Sequence, residues 1–186
     1  NSKYSKCSFD TSKETECTKV GKNYVDHFED LNDKGLLLYG PVGTGKSHLA
    51  ACIANALIDK GYTACMIDFS TIVKRLQETF DGQQKYIDSL MRFDLLIFDD
   101  LGIERKTEYM QEQVYNVVNA RYMTGRPFIV TTNLMPEELK KTTDIGNGRI
   151  YDRILERCHP VAVNGESHRR QKLKEDYKQM EMILKG

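Results

Sequence analysis

After Gly35 the chain runs Leu36-Leu37-Leu38-Tyr39 without a polar residue, the pattern of a strand buried on both faces of a sheet. Similar short runs recur at Ala64-Cys65-Met66-Ile67, Leu95-Leu96-Ile97-Phe98, Phe128-Ile129-Val130 and Val161-Ala162-Val163. Between the first two, Leu49, Ile53 and Leu57 stand at i, i+4 and i+8 beside Ala50, Ala54 and Ile58. That broad apolar face predicts a helix over 47–60, stopped by Gly61. Further helices are predicted over 71–79, 83–91, 108–123, 136–141, 149–158 and 167–184, with loops at 106–107, 124–127 and 142–148. Strands alternating with helices imply parallel β-α units and a three-layer α/β sandwich. Ahead of the first strand, Thr11-x-x-Glu14 has capping-box spacing, and Cys17, Val20, Tyr24, Val25 and Phe28 recur near helical period. One helix is therefore expected in the lead-in.

At 186 residues the chain suffices for one domain with a sizeable core and is short for two. The expected division is a lead-in over 1–34 and a principal unit over 35–186. No apolar run approaches the roughly 18 residues that span a bilayer, which argues against a membrane-spanning role. Residues 1–6 lack the apolar stretch of a signal peptide, so a cytoplasmic location is expected. The first residue is not Met, as in a fragment of a longer protein. The five cysteines are scattered without Cys-x-x-Cys spacing, which argues against a zinc site or a disulfide framework. Cys52 and Cys65 fall in apolar segments and read as small core residues. Lys plus Arg equals Asp plus Glu, at 27 each, so no global positive field attracts nucleic acid, and any DNA contact must come from a local patch.

The strongest chemical signal is Gly40-Pro41-Val42-Gly43-Thr44-Gly45-Lys46-Ser47, a GxxxxGK[ST] sequence set between a strand and a helix, as a Walker A motif requires. Glycines let the backbone curl so that its N–H groups face phosphate oxygens, and the helix beginning at Lys46 adds its positive dipole end. Lys46 is placed to reach the β- and γ-phosphates of ATP, and Ser47 to offer a hydroxyl to Mg²⁺. His48 falls within the same candidate nucleotide-binding stretch. Next, Leu95 to Phe98 deliver Asp99 and Asp100 to the C-terminal edge of the sheet, which is Walker B placement. Asp99 is the candidate metal-holding acid, and Asp100 the acid that orients or deprotonates the attacking water. Two acids after a strand also suit a solvated turn or a helix cap; the Walker A motif tips the reading. The third candidate is Asn133, after Phe128 to Thr132, where an amide can position the hydrolytic water as sensor 1. Capping of the turn before Pro136 is the alternative.

These segments, with Leu-Ile-Phe-Asp-Asp-Leu-Gly at 96–102 and Val-Thr-Thr-Asn-Leu at 130–134, resemble the ATPase domain of DnaC/DnaI-type replicative helicase loaders and their IstB-type transposition-helper relatives. The resemblance extends over about residues 9–175. It implies an AAA+ P-loop NTPase with a central, mostly parallel five-stranded sheet and little or no helical lid. It also implies slow ATP hydrolysis stimulated by assembly or DNA, an ATP-dependent homo-oligomer, and a replicative DNA helicase as partner, held through a region absent from these residues. Arg149-x-x-x-Asp152-Arg153 is similar to the family's box VII, which implies Arg153 as an arginine finger acting in trans. Gly165 to Arg170 is similar to its sensor 2 segment, with Arg169 the better match. Arg149, Arg153 and Arg157 also read as an exposed stripe balanced by Asp152 and Glu156. Single-stranded DNA contact is implied for Lys74, Arg75, Phe80, Lys85 and Tyr86, basic and aromatic groups suited to phosphates and stacked bases; a charged helix face with aromatics turned inward explains the same residues. Asp100 stands where other AAA+ ATPases carry Glu, so its carboxylate falls one methylene short of the water. A transposition-helper ATPase and, more distantly, a P-loop small-molecule kinase are the competing readings.

Overall fold

Four of the five apolar runs lie within strands and the fifth overlaps one: β1 (Gly35–Tyr39), β2 (Ala64–Asp68), β3 (Leu95–Leu101), β4 (Phe128–Thr132) and β5 (Cys158–Ala162). They form one sheet in the order β2-β3-β4-β1-β5, and every pairing is parallel. The computed structural model describes residues 4–12, 14–79, 82–102, 107–165 and 168–185, without the side chains of 168–175 and 178. Its helices are α1 (Glu16–Asp26), α2 (Lys46–Asp59), α3 (Phe69–Glu78), α4 (Gln83–Met91), α5 (Glu108–Met123), α6 (Pro136–Lys140), α7 (Ile145–Arg157) and α8 (His168–Lys185).

Parallel strands must return to the same edge through crossovers, and the helices that do so cover both faces of the sheet. Alternation along each strand divides the core in two. Leu36, Leu38, Leu95, Ile97 and Ile129 pack with Tyr24, Leu49, Ile53 and Leu57 of α1 and α2. Leu37, Leu96, Phe98, Phe128 and Val130 pack with α3, α4, α5 and α7 through Ile72, Leu90, Val117 and Ile154. The result is the expected three-layer sandwich. A single helix, α8, follows β5.

Three boundaries differ from expectation. The cap of α1 is Thr15, not Thr11: its hydroxyl accepts from Thr18 N, while Thr18 Oγ1 accepts from Thr15 N at 2.7 Å. Thr11 instead ends a 3-10 turn over Phe9–Thr11. The second departure is at α7, which starts at Ile145 because the Asp144 carboxylate caps it, accepting from Asn147 N at 2.8 Å. That cap outweighs the low helix propensity of Gly146 and Gly148 in the first turn. Finally, β5 starts at Cys158 and includes Pro160. As an edge strand it needs no N–H donor on its outer side, so proline is tolerated there.

Candidate nucleotide-binding site

The loop between β1 and α2 turns on glycines. Gly40, Gly43 and Gly45 have φ of +140°, +86° and +100°, values that side chains other than glycine's rarely adopt. Thr44 Oγ1 donates to Pro41 O at 2.9 Å and closes the turn. Gly45 is the N-cap of α2 and offers no side chain to the first amides of the helix. The start of α2, with the positive end of its helix dipole, therefore faces the loop without a capping side chain, an arrangement that suits an anion.

Lys46 folds back over this loop. It is 6% exposed, and its ammonium donates to Gly40 O, Pro41 O and Asn133 Oδ1, each at 2.8 Å. Asn133 arrives because β4 lies directly beside β1 in the sheet. One position on, Ser47 Oγ donates to Asp99 Oδ1 at 2.8 Å. The same carboxylate oxygen accepts from Thr131 Oγ1 at 2.6 Å, and Thr131 Oγ1 in turn accepts from Asp100 N at 2.9 Å. Thus Lys46, Ser47, Asp99, Asp100 and Asn133 converge at one end of the sheet. Sequence reasoning missed Thr131. Its signal was a pair of polar residues, Thr131-Thr132, inside a strand whose every residue is buried.

The other candidates whose side chains are described lie outside this cluster. His48 is exposed, and its Nε2 is 3.0 Å from Ser12 Oγ and 3.5 Å from Cys52 Sγ. Asn55, further along α2, donates to the carbonyls of Tyr4 and Cys7. Together these contacts strap the segment around Tyr4 to Ser12 along α2. Arg153 is on the last turns of α7, which lead into the start of β5, so it sits toward the opposite end of the sheet from its own phosphate loop. Its guanidinium lies 4.3 Å from the ring centre of Tyr122, and that of Arg157 4.5 Å. Arg157 also forms an ion pair with Asp33, and Tyr122 donates to Glu156 Oε1 at 2.6 Å. Arg149 is exposed. The backbone of Arg169 lies within α8, but its side chain, like the whole of Phe80, lies outside the described residues. Lys74 pairs with Glu78 at 3.9 Å, and Arg75 stacks over Tyr86 at 5.7 Å. Lys85 is exposed.

A parallel sheet with this strand order, carrying a glycine loop, a buried lysine and two acids at one edge, is the P-loop ATP-binding domain of AAA+ proteins. The chain belongs to the family of IstB-like ATP binding proteins, whose model matches residues 9–176. It is 31% identical over 153 residues to the replicative helicase loader DnaC of Escherichia coli K12, covering 80% of this chain and 61% of that protein. To the replicative helicase loader DnaI of Bacillus subtilis 168 it is 28% identical over 164 residues, covering 80% and 53%. The chain therefore spans between half and two thirds of the length of these relatives. Among solved structures, the DnaC helicase loader superposes with a TM-score of 0.75 at 23% identity, covering 88% of this chain and all of that one. The replication initiator DnaA bound to AMPPCP and single-stranded DNA gives 0.70 at 22% identity, covering 96% and 56%. Both share the fold. Among the described residues no helix is long and apolar enough to cross a membrane.

Proposed function

We propose that this chain is the ATP-driven switch of a replicative helicase loader, binding ATP with Mg²⁺ in the loop at 40–47 and hydrolysing it slowly. The observation that carries the reading is the convergence of Lys46 with Asn133 and of Ser47 with Asp99 across three strands. A hydroxyl and a carboxylate oxygen held 2.8 Å apart are the hard donors that magnesium prefers. The bound ion would neutralise phosphate charge. Lys46, with donors already aimed at oxygens, would exchange carbonyl partners for phosphate oxygens. Asp100 would hold the attacking water and take its proton, and Asn133 would orient that water.

Arg153 and Arg169 complete the scheme. Arg153, remote from its own loop, would reach the γ-phosphate of a neighbouring subunit, a contribution worth about 10³- to 10⁵-fold in P-loop enzymes. Hydrolysis would then depend on assembly. Arg169 would sense nucleotide from within the subunit. The curated relatives named as loaders support a helicase as partner, engaged through sequence outside this chain, with single-stranded DNA at Lys74, Arg75, Phe80, Lys85 and Tyr86.

Titration with a fluorescent ATP analogue tests the site. Lys46→Ala is expected to abolish affinity, and undiminished binding by that variant would overturn the reading. Mass in solution with a non-hydrolysable analogue and single-stranded DNA tests assembly. Self-association that weakens in Arg153→Ala is expected, whereas a monomer under every condition would overturn the loader assignment for this chain.

A further inference from the structure

We infer that Thr131 is a positioning residue for both Walker B acids, its hydroxyl fixing the Asp99 carboxylate toward magnesium and the Asp100 backbone toward the attacking water. The inference rests on the proposed nucleotide site and adds a residue that acts through the acids rather than on the phosphates.

The sheet explains why a side chain is needed. Between β3 and β4, Phe98 pairs with Val130 but the next pair is Leu101 with Thr132. The three-residue step on β3 against two on β4 puts one extra residue at the acids, a β-bulge of the sort that re-aims side chains beside active sites. Asp100 takes φ of +65°, a left-handed conformation uncommon for a residue other than glycine. Its amide bonds the Thr131 hydroxyl at 2.9 Å. Across the same gap, Thr132 Oγ1 donates to Leu101 O at 2.9 Å and accepts from Leu134 N at 3.1 Å. Two successive threonine hydroxyls thus bridge the strands where the ladder is interrupted.

The direction of the Thr131 hydrogen bond is fixed by its neighbours. A backbone amide only donates, so the single Thr131 proton is left for Asp99 Oδ1, 2.6 Å away. Ser47 holds the same oxygen, but its hydroxyl is the one proposed to turn toward the metal. Once it does, Thr131 is the hydroxyl that keeps the carboxylate in place. Thr131 is 1% exposed, so water is poorly placed to substitute for it.

The test compares Thr131→Val, which keeps the shape and removes the hydroxyl, with Thr131→Ser, which keeps the hydroxyl. In Thr131→Val the Asp100 amide is expected to exchange with deuterium faster than in wild type. The magnesium needed for half-maximal affinity of a non-hydrolysable ATP analogue is expected to rise about tenfold, the loss typical of one hydrogen bond to a charged group. Affinity measured in EDTA stays unchanged, kcat falls, and Thr131→Ser restores amide exchange, magnesium dependence and kcat. A lower melting temperature with wild-type magnesium dependence and kcat would mean a purely structural threonine and overturn the inference. Wild-type protein without nucleotide affinity would instead overturn the site itself, and the inference with it; binding without turnover leaves the magnesium and exchange readouts to decide the role of Thr131.

Discussion

Arg121 is fully buried, at 0% exposure, and makes five hydrogen bonds to main-chain carbonyls. Nε and Nη2 reach Pro127 O at 3.2 and 2.6 Å, Nη1 reaches Met91 O and Phe93 O at 3.3 and 2.8 Å, and Nη2 reaches Asp94 O at 2.8 Å. One guanidinium thereby ties the end of α4 and the approaches to β3 and β4. Burial, with Arg126 adding to it, pulls its pKa down to about 10, so it remains a cation at neutral pH. Arg121→Met fills much of the volume and takes a donor from each of four carbonyls, Phe93 O keeping only the 3.4 Å bond from Arg126 Nη1. An unpartnered buried Pro127 carbonyl costs about 1–3 kcal/mol, and the three partly buried ones fall at or below the low end of that range, about 0.5–1 kcal/mol each. Part of the sum is offset because methionine carries no charge to desolvate. A net loss of roughly 2–4 kcal/mol follows, large against total stabilities of about 5–15 kcal/mol. Urea unfolding followed by circular dichroism should show a lower midpoint at unchanged slope. A variant within about 0.5 kcal/mol of wild type, the range of ordinary surface changes, would refute the reasoning and mean that water already serves those carbonyls.

Three further outcomes are expected. The Thr63 amide and hydroxyl hold the Asp94 carboxyl below the usual carboxylate range. Its stabilisation is complete above the unfolded-state pKa and is lost as pH falls through the folded one. The stability gap between wild type and Asp94→Asn, read from urea midpoints, should therefore narrow from neutral pH to about pH 3; a gap independent of pH would contradict this. A Cβ at Gly40 would stand 2.6 Å from Val163 O at φ of +140°, so Gly40→Ala should lower the melting temperature and weaken nucleotide affinity; a wild-type melt would mean that the loop relaxes freely. Burial pushes the Cys158 thiol well above its ordinary pKa and raises that of Cys52. Native protein should therefore expose Cys7 and Cys17, both half-buried, to Ellman's reagent well before these two, and equal rates would refute the burial argument.

What was legible in the sequence was local. The loop at 40–47 is continuous, and apolar runs before and helical spacing after it fix its context, so β1, α2 and the placement of Lys46 follow from the residues themselves. Asp99 and Asp100 were legible for the same reason. The Thr131 link was not, because it depends on β3 and β4 becoming neighbours and on a bulge that no composition announces. Arg121 was hidden more deeply: an arginine in a helix reads as surface until α4, β3 and β4 are known to end around it. At α1, Thr11 has the capping-box spacing in the sequence, yet Thr15 caps the helix. The choice is tertiary, since the Phe9 ring packs close to Gly21 and residues 9–11 are drawn into their own turn. The run at 161–163 misplaced β5 because pairing with β1 recruits Cys158 and Pro160.

Because β4 is flanked by β1 and β3, it acts as the keystone between the loop that would grip phosphates and the acids that would grip the metal. Asn133 reaches one side and Thr131 the other. A ligand that clasps both sides closes the arch around this strand, and withdrawing the strand would dismantle the site before the flanking segments had come apart.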